Sequence, residues 1–435
     1  MKVLQLVHNY PPEFRGGVER AVENMVEALA VLGVESTVLA GSELSENVAS
    51  VRSEVYNRIR VHRVVGGRLL RQPADPFRAD LASLIDGVFR QERPDVIHVH
   101  HWWNLGNDLV RRAALHGIPA VVTLHDHFSS CARFFRLPAG IPCGKPQDVS
   151  TCGPCLAPDN PLDDIELTAR IGRRHSDFCA ELAAAFSVMA PSLSHAARCE
   201  SAFPGLHVKV VPLGSQPIAA AQVHRFDGTL RILHAGNLCR IKGVEVLCEA
   251  VRKAVATGAK LKLTLAGPCV ESGMNLDGAE LVGSYDHQAL RELGSNHDVI
   301  AIPSLALESY SFALDEALQL GLPVMVSDRG ALPDRLGGRG QVVAAGDVAA
   351  WANALTSWST HVEQLERFRL ASFPSLSAPS DHASIMSAIY EQARGFAPPR
   401  VSLEEGALSR LKHLEGRLAD ILAATARTHT QNKSP

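Results

Sequence analysis

Rhythm constrains this chain most. Short apolar runs rich in Val, Ile and Leu alternate with helical stretches almost from one end to the other. Such alternation builds parallel sheets, because a strand that pairs in parallel with its predecessor must first return through a crossover, usually a helix. The first half offers strands at 2–8, 36–40, 59–65, 95–100, 120–125, 186–190 and 208–212, with helices such as 18–32 and 76–91 between them. The second half repeats the plan with strands at 231–235, 261–266, 281–282, 299–302, 323–327 and 341–343. A chain of 435 residues exceeds what one core usually serves, and the polar stretch 214–228 is the natural hinge. The expectation is an α/β protein of two doubly wound domains, 1–215 and 216–390, followed at 391–435 by a charged amphipathic helix (403–424) and a polar tail (428–435). Two such domains in series place a ligand crevice between them, at the carboxyl ends of their strands.

Composition narrows the function classes. A net charge of −3 provides no basic field to recruit nucleic acid or an anionic membrane. No apolar run approaches the roughly 18 residues that span a bilayer, and residues 3–7 are too few and too polar for a signal-peptide core. Nine cysteines without such a signal do not form a disulfide framework. The expected location is the cytoplasm, with a peripheral place at the inner membrane left open.

Three strand–loop–helix junctions carry residues suited to chemistry. The richest is Glu308-Ser309-Tyr310-Ser311-Phe312-Ala313-Leu314-Asp315-Glu316, which opens a helix after the strand 299–302. Two helical turns put its carboxylates about 12 Å apart, the reach of a ligand with a hydroxylated ring at each end and a diphosphate between. Carboxylates accept from paired hydroxyls, and backbone N–H groups from Ser309 to Phe312 suit phosphates. On spacing alone the plainer account is a helix-start carboxylate and a surface glutamate. Gly16-Gly17 follows the first strand and lets a ligand approach the backbone closely. Gly236-Asn237-Leu-Cys-Arg240-Ile-Lys242-Gly243 adds two cations near a helix N-terminus, a pocket for a leaving diphosphate or merely a pair of solvated charges.

In this order, Gly16-Gly17, His125, Gly236…Lys242-Gly243, Pro303-Ser304…Glu308-x7-Glu316-Ala317 and Gly321-x-Pro323-Val324 resemble glycosyltransferase family 4. The resemblance implies the GT-B architecture of two Rossmann-like domains, an acceptor domain followed by a donor domain, facing a central crevice. It implies a retaining transfer of sugar from a nucleoside diphosphate sugar to a hydroxyl of a glycan, lipid-linked or small-molecule acceptor, in polysaccharide or glycoconjugate biosynthesis. By that likeness Glu308 binds donor hydroxyls, Glu316 the ribose, and Lys242 with the Ser309–Phe312 amides the diphosphate. Gly16 and Gly17 close over the donor, and His125 lies near the reacting carbon. No catalytic metal is expected, and without an evident side-chain nucleophile the departure and attack occur on one face. Two departures stand out: Asn237 replaces an arginine, with Arg240 the candidate substitute, and Ser309 and Ser311 replace glycines. They keep open a catalytically inactive binding module.

Cys131, Cys143, Cys152 and Cys155 form a separate constellation in a segment rich in Pro and Gly, an insert spanning 131–155. Its closing C-x2-C and two upstream thiols fit a structural tetrathiolate, zinc first and an iron–sulfur cluster second. A metal or redox sensor built on this quartet is the other alternative, as are reduced, unliganded thiols. His100 and the tryptophans after it read as crevice wall or packing, and Arg173-Arg174-His175 as a solvated helix face.

Overall fold

The computed structural model describes residues 1–67, 74, 76–138, 143, 145, 148–159, 164–223, 225–373 and 375–401. All the expected strands form. The first sheet contains β1 (Lys2–Val7), β2 (Glu35–Glu46), β3 (Ser50–Tyr56), β4 (Ile59–Gly67), β5 (Val96–Val99), β6 (Ala120–Thr123), β7 (Ser187–Ala190) and β8 (Val208–Val210). The second contains β9 (Leu230–Ala235), β10 (Leu261–Ala266), β11 (Ala279–Gly283), β12 (Val299–Ile302), β13 (Val324–Ser327) and β14 (Gly340–Val343). Their spatial orders are β3-β4-β2-β1-β5-β6-β7-β8 and β11-β10-β9-β12-β13-β14. Chain direction of travel across each sheet reverses beside β1 and β9, which makes β1/β5 and β9/β12 the switch points where ligands bind in such folds.

Pairing is parallel throughout, apart from β3 against β4. The sequence reading lacks β3 altogether, because Ser-Val-Arg-Ser-Glu-Val-Tyr sits at the sheet edge, largely exposed, and has no apolar run to announce it. The central strands are buried on both faces. One face of the first sheet packs on the cluster containing Phe89, Trp102, Phe128 and Phe178, and the second sheet is sandwiched between two clusters around Trp351 and Leu318.

One boundary differs from the expectation. The helix Pro379–Arg394, placed by sequence order with the second domain, packs on the first. Met386, Ile389, Tyr390 and Ala393 recur at helical spacing and need an apolar face, which Val3, Met25, Leu29, Val96 and Val121 provide. The chain therefore crosses between domains twice, and the crossings touch where Ser215 N–H donates to the Ser377 carbonyl. The expected helix at 403–424 and the tail at 428–435 lie outside the described residues.

Candidate active site

Between the domains lies a cavity of about 400 Å³, formed at the carboxyl ends of the strands. Gly16, Gly17, His125, Gly236, Asn237, Lys242, Glu308, Ser309, Tyr310, Ser311 and Phe312 all line it. These residues are drawn from positions 296 apart in sequence, and the strand ends bring them together. Lys242 Nζ lies 2.7 Å from Glu308 Oε1, and Ser304 Oγ donates to the same oxygen at 2.6 Å. Burial alone would raise the Glu308 carboxyl, but Lys242 and Ser304 outweigh it and hold it below the usual range. The Lys242 turn is fixed by Gly243, whose φ of 74° suits glycine and whose Cβ, if present, would lie 1.9 Å from the Pro303 carbonyl oxygen.

The loop after Glu308 docks on the first domain. Ser309 Oγ donates to the His125 carbonyl, and Ser192 Oγ donates to the Ser309 carbonyl at 2.7 Å. Tyr310 is buried, with its hydroxyl donating to the Leu213 carbonyl at 2.6 Å. Ser311 adopts φ 77°, a conformation natural to glycine, and its Oγ accepts from Leu314 N–H at the start of the helix Phe312–Leu320. The first amides of that helix have no partner within it and are available to an anion.

Two expected site residues are placed otherwise. Arg240 does not line the cavity: it pairs with Glu245 and Glu271 and donates to the Gly273 carbonyl at 2.7 Å. Two carboxylates on its own side hold its charge away from the cavity that Asn237 lines. Glu316 is buried beneath the helix start, where Arg20 of the first domain pairs with it at 2.6 Å and covers the Phe312 ring at 4.9 Å.

The cleft also holds groups that sequence reasoning passed over: His8, Glu19, Asp126, His127 and His234. His234 Nδ1 donates to the Ala301 carbonyl at 3.0 Å and His127 Nε2 to the Leu307 carbonyl at 3.2 Å. The remaining ring nitrogens, His234 Nε2 and His127 Nδ1, have no hydrogen-bond partner among the described residues. Burial pushes these imidazoles down to about 4 and about 3, so both are neutral and offer a lone pair to a ligand hydroxyl. His125 is likewise neutral, pushed down to about 3 by burial. Its Nε2 meets His100 Nδ1 at 2.9 Å, and His100 Nε2 meets Gln5 Oε1 at 3.0 Å. An amide oxygen only accepts, so His100 carries its proton on Nε2 and His125 donates from Nε2, leaving His125 Nδ1 as an acceptor. The only signal in the sequence was position: each histidine ends a strand or begins the loop after it.

Away from the cleft, Arg174 departs from the expected solvated face. It is buried, donates to the Ser129 carbonyl at 3.0 Å and lies over the Phe128 and Phe178 rings. Trp102 belongs to the core.

Residues 15–142 match the model of Glycosyltransferase Family 4, and residues 229–361 match that of Glycosyl transferases group 1. One match falls within each domain, and both include residues that line the cleft. The chain is a GT-B glycosyltransferase. Among its relatives is a D-inositol 3-phosphate glycosyltransferase of Arthrobacter sp. (strain FB24), 25% identical over 78% of this chain and 81% of that protein. Sucrose-phosphate synthase from Thermosynechococcus elongatus has the same fold, with a TM-score of 0.60 at 19% identity over 95% of this chain and all of that one. Anabaena Alr3699/HepE, solved with UDP-glucose, superposes with a TM-score of 0.54 at 17% identity over 90% of this chain and 98% of that one. Among the described residues of this glycosyltransferase, no helix is long and apolar enough to cross a membrane.

Proposed function

We propose that this glycosyltransferase moves a sugar from a nucleoside diphosphate donor to a hydroxyl of a glycan, lipid-linked or small-molecule acceptor, with retention at the anomeric carbon. Biosynthesis of a polysaccharide or glycoconjugate is the setting that fits this reaction. The Lys242–Glu308 pair carries the reading: a cation and a carboxylate 2.7 Å apart inside the cleft, beside the amides that open the helix Phe312–Leu320. A donor would divide the pair, with its sugar hydroxyls bonding to Glu308 and its diphosphate to Lys242 and those amides. Glu316 would accept the ribose hydroxyls once Arg20 yields the carboxylate. His125 Nδ1, His127 Nδ1 and His234 Nε2 would accept from sugar or acceptor hydroxyls.

The engagement of the other cleft carboxylates supports departure and attack on one face. Glu308 is held by Lys242, Asp126 faces His101 at 3.1 Å and accepts from Phe128 N–H, and Glu19 accepts from Gly16 N–H. None stands ready as a nucleophile. The leaving diphosphate itself would take the acceptor proton, and water would be kept out by the domains meeting through Ser309.

UDP-glucose, the ligand of Anabaena Alr3699/HepE, is a reasonable first donor to try. A thermal-shift screen of nucleoside diphosphates and nucleotide-sugars tests the reading, since a ligand at 100 times its dissociation constant stabilises by about 2.7 kcal/mol. One donor class should raise the melting temperature of the wild type and lose that effect in Glu308→Ala. A response to no nucleotide, or an equal response in the variant, would refute the assignment.

A further inference from the structure

Three chain segments that carry four cysteines meet beside the cleft wall. The helix Val149–Leu156 carries Cys152 and Cys155 three residues apart and hence on one face. Arg133, two residues beyond Cys131, donates from Nε to the Cys155 sulfur at 3.2 Å and from Nη2 to the Cys155 carbonyl at 2.5 Å. Arg136 secures the third piece of chain: Cys143 N–H donates to its carbonyl at 2.7 Å, and its Nε donates to the Cys143 carbonyl at 3.1 Å. The segment 131–136 therefore draws both other cysteine-bearing segments to itself. Cys152 is within electrostatic reach of Cys131, Cys143 and Cys155. All four thiols are free and half-buried. Among the described residues no three histidine, cysteine or acidic side chains are placed to hold a metal ion, so the ligand geometry would have to form on binding.

Two guanidinium groups lie along the cysteine-bearing segments. Arg133 touches the Cys155 sulfur, and Arg136 is bonded to the Cys143 carbonyl. A guanidinium against uncharged sulfur gains little, whereas beside a divalent ion held by four thiolates it offsets part of a net charge of −2.

We propose that Cys131, Cys143, Cys152 and Cys155 bind one zinc ion as a structural tetrathiolate. Four soft ligands leave no open position, which suits zinc in a bracing role. Binding would displace the thiol protons to solvent and involve no change of oxidation state. Its effect reaches the cleft because Phe134 and Phe135, within the pinned segment, line the cavity. The site stands apart from the transferase reading and is tested separately.

Full-length protein, purified under reducing conditions without chelator, should contain about one zinc ion per chain by elemental analysis. Cys152→Ser and Cys155→Ser should each lose nearly all of it, while Cys199→Ser, whose thiol is buried elsewhere, should keep it. Because a ligand variant can fail to fold, the wild type is also exchanged with cobalt(II), which should give the intense visible and thiolate charge-transfer bands of a tetrahedral sulfur site. Four reactive thiols with no bound zinc would overturn the proposal. So would stoichiometric iron with colour, a disulfide within the quartet, or a cobalt spectrum lacking sulfur ligation.

Discussion

The hydroxyl of Ser309 in the second domain donates to the main-chain carbonyl of His125 in the first. It occupies a position where the resembling family has glycine, and in this chain it serves as a tie across the cleft. With Ser192 donating to the Ser309 carbonyl and Tyr310 to that of Leu213, the loop after Glu308 is fastened to the first domain.

Ser309→Gly should loosen that closure without unfolding either domain. A neutral hydrogen bond is worth about 1 kcal/mol, so the variant should show a larger radius of gyration by small-angle scattering while its unfolding free energy changes by no more than about that amount. An unchanged radius of gyration in solution would show that the tie does not hold the domains.

Ser311 tests a different consequence of the lost glycines. Its φ of 77° strains a residue with a Cβ, yet its hydroxyl caps the helix that follows. Ser311→Gly should relieve roughly 1 kcal/mol of strain and lose only a few tenths from the cap, for a small net gain in stability. Ser311→Ala keeps the strain and loses the cap, a cost of about 1 kcal/mol. Urea denaturation should rank the three as Gly above Ser above Ala, and a reversal of Gly and Ala would contradict this account of the loop.

These details explain how far the sequence could be read. The strands and the order of the motifs were legible because apolar runs and strand–loop–helix junctions are local signals, whereas the pairing of Lys242 with Glu308, 66 residues apart, was not. Arg20 on Glu316 was not, since the pair is separated by 296 residues and its geometry depends on domain closure. The apolar stripe of Pro379–Arg394 was readable as a stripe, but periodicity does not say which domain covers it. Arg174 looked solvated until the carbonyls of Phe128 and Ser129, some forty-five residues earlier, folded onto it. Cys199 and Cys248 are buried, whereas Cys179 and Cys269 are exposed, because residue type alone does not fix the face.

Arg240 and Lys242 should separate cleanly. Arg240 is engaged by Glu245 and Glu271, so Arg240→Ala should leave nucleoside diphosphate affinity within about twofold. Lys242→Ala removes the cleft cation and should weaken affinity by about tenfold or more, roughly 1.4 kcal/mol. Calorimetric titration of both variants with the same diphosphate checks the difference, and equal losses would return Arg240 to the site.

Glu19 predicts a pH dependence. Burial pushes its carboxyl up to about 7, with His101 and Asp126 acting on it in opposite directions and His8 lying 3.1 Å away. An unfolded glutamate titrates near about 4.3, so between these values the folded protein binds more protons than the unfolded one. The protonated group's contribution is present in full below about pH 4.3 and is lost as pH rises through about 7, an effect of up to about 4 kcal/mol. Glu19→Gln retains an acceptor for Gly16 N–H and does not titrate. Its stability should therefore gain on the wild type between pH 5 and 8 in parallel urea titrations, and a constant difference would refute the shift.

The most direct test of the central claim is release of nucleoside diphosphate by the full-length wild type and Glu308→Gln, measured with a donor found to stabilise the protein and a hydroxyl acceptor. The account predicts steady turnover by the wild type and a loss of about a hundredfold or more in the variant, equivalent to roughly 2.7 kcal/mol of transition-state stabilisation. Equal rates in the two proteins, or no release by the wild type from a donor it binds, would contradict it.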